Sequence, residues 1–235
     1  MIIRCIWEHN GNDTLLYAES PAGAFTRGAS LEEAIEKMPQ EIRSFLEWQG
    51  KPVPANIKIE IAQEKASDVA ICDADSDVLF ESEKPPLTYR EYEELKRLAL
   101  KSARDFEKLY QSIPDQTKSC LPSRKTFYGP VPRTAQEMYI HTKNVTAYYF
   151  GEIEVDAENG GNMLSAREAA FCKLEQQPDY LQNKIFAGSY GEDWTLRKVL
   201  RRFLWHDRIH AKALYRMACK TFPDASIPNI FCFPV

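Results

Sequence analysis

The chain has 235 residues, of which 44% are hydrophobic and 27% are charged, proportions that are typical of a globular protein. They exclude a disordered or collagen-like chain, and the length is sufficient for two modest domains, each with its own core. The net charge of −4 supplies no general attraction to phosphate backbones or anionic lipid, so a role in binding nucleic acid would need a local basic patch.

Short runs of β-forming residues indicate the strands of a small amino-terminal domain, residues 1–65. The runs 2–7 and 14–18 flank the turn-forming letters HNGND, which predicts an antiparallel hairpin. After the turn QGKPVP, residues 57–61 alternate between apolar and polar side chains, as a half-buried strand does.

A helix is predicted between the hairpin and this last strand. Ser30 and Glu33 have the spacing of a capping box, in which two side chains bind free backbone N–H groups at the start of a helix. Apolar residues then recur with helical spacing as far as Leu46, and Pro39 is expected to bend or interrupt the helix. The predicted order is therefore β-β-α-β.

Residues 66–87 differ in composition from the residues on either side. They include six acidic residues, no basic residue before Lys84, and the pair Pro85 and Pro86 at their end. We interpret this stretch as a solvated acidic linker between two domains.

Residues 88–235 have a helical pattern interrupted by proline and glycine, which predicts an all-α domain. The capping pair Ser165 and Glu168 is expected to start the third helix, and Pro178 limits it. The final letters IPNIFCFPV predict an extended apolar tail packed on the helices. Four helices are predicted, and they cover residues of about 89–113, 134–152, 165–178 and 194–221. The fold class is thus α+β, a β-β-α-β domain followed by a four-helix bundle.

Three of the four histidines are spaced as ligands of one metal ion would be. His206 and His210, in WHDRIH, are four residues apart and lie on one helical face, so both can bind one cation. His141, in MYIHTKN, lies on an inward-facing stripe of an earlier helix. Three imidazoles leave a coordination position open, which is typical of a catalytic site; zinc and nickel both suit imidazole. The alternative is that these are core histidines bonded to backbone carbonyls or to Asp207 and Glu137.

Two further residues are candidates for substrate binding. Arg202 lies one turn before His206 on the same face and could bind an anionic group, or it could form a salt bridge at the rim of the bundle. Tyr148 or Tyr149 could supply a hydroxyl group, with aromatic packing as the alternative. No residue stands out as a general base, so the catalytic residues are unknown.

The opposite face of the last helix is basic, and we expect it to be solvated. Arg201 and Arg208 belong to this face, which is where nucleic acid would bind. Since no exposed aromatic residues alternate with these charges, the sequence argues against nucleic acid as a partner.

The six cysteines are scattered, without the close pairs of a zinc knuckle or redox motif. The start MIIRCIWEHNG lacks the pattern of a signal peptide, and no apolar run reaches the length of a membrane span. We therefore expect reduced thiols, a cytoplasmic location and no membrane partner.

The segments TAQEMYIHTKNVTAYYFGEI and WTLRKVLRRFLWHDRIHAKALYRM resemble the two histidine-bearing helices of the DinB/YfiT-like superfamily. This resemblance covers residues of about 88–235. It implies a DinB-like four-helix bundle whose divalent metal is held by three histidines, here His141, His206 and His210. Members of known chemistry include thiol-dependent transferases and isomerases, which implies a small-molecule substrate and a thiol as one option.

The segment YAESPAGAFTRGASLEEAIEKMPQEIRSFLEW resembles a HicB-type antitoxin module, over residues of about 1–65. It departs from that family because a helical domain follows it in place of a DNA-binding segment. The leading hypothesis is a metal-dependent hydrolase or transferase. The alternative is a non-catalytic regulator that binds a protein partner through residues 1–65. The sequence does not decide whether two copies form a homodimer through an outer helical face.

Overall fold

The computed structural model describes residues 1–126 and 129–234. The amino-terminal part is a four-stranded sheet with one helix. The strand order is β3-β2-β1-β4, in which β1 and β4 are parallel and the other neighbours are antiparallel. The elements are β1 (Ile2–Asn10), β2 (Asp13–Ala18), β3 (Phe25–Gly28), α1 (Leu31–Gln49) and β4 (Lys58–Ala66).

The predicted hairpin, helix and final strand are confirmed, but two details of this part differ from the prediction. The short strand β3 was missed, because its four residues are too few to show an alternating pattern. The expected interruption at Pro39 is wrong, since α1 continues through it. Met38 and Ile42 on either side are fully buried, and this packing maintains a helix that a proline would otherwise weaken.

The carboxy-terminal part is helical, so the chain as a whole is a mixed α and β protein. Its described residues form five helices and two short two-stranded ladders, β5–β6 and β7–β8. The helices are α2 (Tyr89–Gln111), α3 (Ala135–Lys143), α4 (Val145–Gly151), α5 (Met163–Glu175) and α6 (Leu196–Thr221). The ladders are β5 (Lys125–Thr126), β6 (Gly129–Pro130), β7 (Phe186–Ala187) and β8 (Asp193–Trp194).

The single helix predicted from residue 134 is divided into α3 and α4 at Asn144. The amide of Asn159 accepts a hydrogen bond from the Ala147 N–H at 2.9 Å and donates one to the Asn144 carbonyl at 2.9 Å. A side chain that binds backbone groups of a helix in this way interrupts its regular hydrogen bonds. No local pattern predicts this division, because Asn159 lies in a loop 15 residues after Asn144.

The third predicted helix also begins earlier than expected. Ser165 is not its first cap: Asn162 caps α5, and its side chain accepts a hydrogen bond from the Ser165 N–H at 2.8 Å. Ser165 returns the contact by accepting from the Asn162 N–H at 3.1 Å. The capping box is therefore shifted by one helical turn.

The basic face of α6 is not solvated, contrary to the sequence-based expectation. Arg201 and Arg208 are 2% and 1% exposed and form ion pairs with carboxylates from other parts of the chain. Arg208 binds Glu41 of α1, while Arg201 donates to Glu83 at 3.0 Å and to the Val78 carbonyl at 3.0 Å. The surface on which a nucleic-acid hypothesis would rest is thus the interface between α6 and the rest of the protein.

The acidic segment 66–87 is packed, so its interpretation as a solvated linker is wrong. Val78 and Phe80 are each 2% exposed and belong to a cluster with Trp205 of α6 and side chains of the sheet. The buried carboxylate of Glu8, on β1, accepts hydrogen bonds from the Ser76 hydroxyl at 2.6 Å and from the N–H groups of residues 77 and 78 at 2.9 and 3.1 Å. These bonds hold the segment against the sheet.

The amino-terminal sheet and α6 approach each other closely at Gly23. This residue has φ +93°, and a β-carbon there would lie 2.5 Å from Cβ of Leu204. Glycine alone fits both the backbone conformation and the close approach.

The carboxy-terminal tail also packs as predicted over its described residues: Phe231 and Phe233 are buried, and the Trp48 ring of α1 stacks on Phe231. Val235, the last residue of that prediction, lies outside the described residues.

Within the described ranges, none of the helices combines the length and the apolar character needed to cross a membrane.

The ion pair between Arg208 and Glu41 gives a first prediction. Glu41→Ala leaves the Arg208 guanidinium buried without its carboxylate, so we expect a loss of about 3–5 kcal/mol in the free energy of unfolding, measured with urea. Lys37→Ala is the control, because it breaks an exposed ion pair with Glu33 on the same helix and should leave the unfolding midpoint unchanged. Equal effects of the two substitutions would contradict the role assigned to the buried pair.

Candidate metal centre

The three histidines predicted to share an ion lie together in the structure. His206 and His210 are one turn apart on α6, and His141 reaches them from α3. One ring nitrogen of each residue lies within 4.8 Å of one nitrogen of each of the others. The ring centres of His206 and His210 are 4.4 Å apart. The ring centre of His141 lies 5.2 Å from that of His206 and 4.6 Å from that of His210. The convergence expected from the sequence is therefore present.

Buried contacts hold the helices that carry the histidines. Asp207, next to His206, is fully buried and forms a two-bond ion pair with Arg167 of α5, at 2.6 and 3.1 Å. Arg167 also donates to the Ala99 carbonyl of α2 at 2.9 Å, so one guanidinium joins three helices. Asp207, the alternative histidine partner expected from the sequence, instead pairs with Arg167 and holds α6 in place.

The first turn of α3 is fixed by the capping box of Thr134 and Glu137. The Thr134 hydroxyl accepts from the Glu137 N–H at 3.1 Å, and the Glu137 carboxylate accepts from the Thr134 N–H at 3.1 Å. The Glu137 carboxylate therefore binds backbone N–H groups at the start of the helix and not a histidine. His141 follows one turn later, at a position set by this cap.

The environment of the cluster keeps the imidazoles neutral. Burial lowers the pKa of His141, and it lowers the pKa of His206 well below its ordinary value, with further lowering by the neighbouring His210 and His141. Burial and the charge of His141 lower the pKa of His210 to about 3. Divalent metals bind neutral imidazole, so these shifts favour ligands that are already deprotonated at neutral pH.

One nitrogen of the cluster has no hydrogen-bond partner among residues 1–126 and 129–234. It is the buried Nδ1 of His206. A buried polar atom without a partner lowers stability, and such atoms in a folded protein call for an explanation such as a bound ion or water.

The histidines line a cavity of about 1160 Å³ whose walls come from both parts of the chain. The sheet contributes Phe25, the segment 71–77 lies along one side, and α6 contributes Arg202 and Trp205. The predicted substrate residues Arg202 and Tyr148 both line this cavity, together with the histidines. The amino-terminal domain is therefore part of the wall around the candidate centre.

Tyr149, the other tyrosine considered as a hydroxyl donor, also lines the cavity; it is buried, and its ring meets that of His206 edge to face at 6.0 Å. Other lining residues were not recognised from the sequence. Trp205 is adjacent to His206 in the chain, so its position on α6 was available as a signal. Ser76 and Glu192 come from segments without regular structure, and no periodic pattern could have placed them beside α6.

Comparisons of the chain with protein-family models, with curated proteins and with solved structures gave no match. The resemblances to DinB/YfiT-like and HicB-type proteins therefore remain predictions from the quoted motifs.

The lowered pKa of His210 predicts how the metal-free protein responds to acid. Between pH of about 6.5 and 3 the unfolded chain binds a proton at this residue that the folded chain does not bind, so the free energy of unfolding falls as pH drops through this window. Between pH 6.5 and 5 we expect the wild type to lose about 1–2 kcal/mol more than His210→Gln, measured by urea unfolding with a chelator present. Parallel pH profiles for the two proteins would contradict the prediction.

Proposed function

We propose that the protein is a metal-dependent enzyme in which His141, His206 and His210 hold one divalent cation, with zinc or nickel as the metal. The observation that carries this proposal is the meeting of three neutral imidazoles, from two helices, in the wall of one large cavity. Structural zinc sites use four protein ligands, whereas catalytic sites use three and leave a position for water or substrate.

The donor set fits such an ion. With metal–nitrogen bonds of about 2.1 Å and tetrahedral angles, ligand nitrogens lie about 3.4 Å apart. The observed separations are at most 4.8 Å, so the ligand nitrogens need to approach one another by at most about 1.4 Å. The alternative is core histidines bonded to backbone carbonyls or to carboxylates, and its carboxylate form is less well supported, because Asp207 and Glu137 are both bound elsewhere.

A divalent ion at this position lowers the pKa of water or of a substrate thiol, and it polarises carbonyl groups. The residues of the chain supply the surroundings. Tyr149 and Trp205 form an apolar wall beside the histidines, and the Arg167–Asp207 pair keeps α6 in place. We propose hydrolysis or group transfer on a small molecule as the reaction class, with a thiol as one option for the substrate.

The amino-terminal domain has a place in this proposal as a wall of the cavity. Phe25 on β3 lines the cavity, and its ring meets that of Trp205 at 6.2 Å. Two predictions from the sequence stay untested: that residues 1–65 bind a protein partner, and that two copies of the chain pair.

Metal binding is tested by dialysis of the protein against Zn²⁺ or Ni²⁺, followed by measurement of the bound metal. We expect about one ion per chain for the wild type and less than a tenth of that for His206→Ala and for His141→Ala, since each variant removes one of three ligands. His9→Ala is the matched control, because His9 lies on β1, stacks on Trp7 and should not affect binding.

Two results would overturn the proposal. One is the absence of bound metal in the folded wild type, and the other is full occupancy in both His206→Ala and His141→Ala. Loss of binding in His9→Ala would show that the assay reports on a different site.

A further inference from the structure

Arg202 is a buried cation without a carboxylate of its own. It is 7% exposed, yet in the described part of the chain no carboxylate oxygen lies within 4.0 Å of its guanidinium. The other buried basic residues all have such a partner, and the pairs are Arg167–Asp207, Lys198–Glu192, Arg201–Glu83 and Arg208–Glu41. Buried charges are ordinarily paired, so the exception at Arg202 requires a reason.

The acidic groups that act on Arg202 electrostatically accept hydrogen bonds from other groups or form ion pairs with them. Glu8 accepts hydrogen bonds from the segment at 76–78, and Glu192 binds Lys198 at 2.8 Å. Asp75 accepts from the Ser76 N–H at 3.0 Å. These carboxylates influence the Arg202 guanidinium from a distance without forming an ion pair with it.

The direct contacts of Arg202 are aromatic rings, the Tyr149 hydroxyl and one carbonyl. Its guanidinium carbon lies 4.6 Å from the ring centre of Trp205, 5.5 Å from that of Trp194 and 5.7 Å from that of Tyr149. One terminal nitrogen donates to the Ser76 carbonyl at 3.1 Å. Among the described residues, neither Nε of Arg202 nor Nε1 of Trp205 has a hydrogen-bond partner. The rings hold the guanidinium in place but leave its charge and its donors available.

The position of Arg202 relates it to the candidate centre. It lies four residues before His206 on α6, so the two side chains point to the same side of the helix. Both line the same cavity, whose nearby apolar wall includes Phe25, Val145 and Ile209. A small molecule in the cavity can therefore contact the guanidinium and the histidine cluster together.

We propose that Arg202 binds the carboxylate of a small substrate whose apolar body lies against the aromatic wall of the cavity. This inference deepens the proposed function and rests on it, because it names the substrate class of that same site. A carboxylate fits because it is planar, matches two donors of a guanidinium and brings the one negative charge that Arg202 lacks. The uncharged donor of Trp205 supplements this contact.

The test uses phenylacetate as a probe and titration calorimetry on the full chain loaded with Zn²⁺. We expect Arg202→Gln to weaken binding of phenylacetate at least tenfold, because it removes a charge-assisted contact. Phenylacetamide, which has the same body without the charge, should bind the wild type as weakly as phenylacetate binds the variant. Arg216→Gln is the matched control: Arg216 is exposed, lies on the same helix and lines the same cavity, so affinity should change less than twofold.

A second measurement separates this role from a structural one. Arg202→Gln removes a buried charge that has no carboxylate partner, so the urea midpoint of the variant should equal or exceed that of the wild type. This is expected of a residue that serves function and lowers stability. A residue needed for the fold would lower the midpoint. A lower midpoint together with unchanged affinity for phenylacetate would overturn the proposal.

The failure of this inference can be distinguished from failure of the metal site. Bound zinc is measured on the same samples, and the titration is repeated with chelator. Phenylacetate binding that depends on Arg202, together with no bound zinc in the wild type, would support the substrate class and overturn the metal centre. Zinc binding with no phenylacetate binding, or with equal affinity in Arg202→Gln, would overturn the substrate class alone.

Discussion

The structure depends on ion pairs between buried basic side chains and carboxylates. Helix α6 carries several basic residues into the interior, and the carboxylates that meet them come from distant segments: Glu41 from α1, Glu83 from the acidic segment, and Glu192 from the loop before α6. Each pair joins α6 to a different part of the chain. Removing one partner would leave a charge buried, so these contacts specify how the amino-terminal sheet and the acidic segment are placed.

This arrangement also builds the cavity. Because Arg208 and Arg201 fix α1 and the acidic segment on one side of α6, the opposite stripe with His206 and His210 faces the space that remains. Asp207 lies between those faces and is held by Arg167. The ion pairs thus orient the helix, and its orientation decides that the histidines point into the cavity.

Three buried polar atoms without partners lie at the cavity, beside the one buried arginine that has no carboxylate partner among the described residues. The atoms Nδ1 of His206, Nε of Arg202 and Nε1 of Trp205 lack partners within the described ranges, and all three residues line the same cavity. Elsewhere on α6 the buried cations are matched. Unpartnered polar atoms beside a group of histidines lower stability, and the ion and the anionic ligand proposed above would account for the three at the cavity.

The sequence by itself determined the hairpin, the helix after Ser30, the long α6 and the three candidate ligands, because these depend on local periodicity and on the spacing of residues within a helix. Only the tertiary structure decided that helix α3 ends at Asn144, that the acidic segment is buried and that the basic face of α6 is an interface. The reason is that these features depend on partners far apart in the chain: Asn159 binds backbone groups near Asn144, and Glu41 meets Arg208 across 167 positions. Local propensity does not predict such long-range pairings. It does predict elements whose stabilising contacts lie within one or two helical turns.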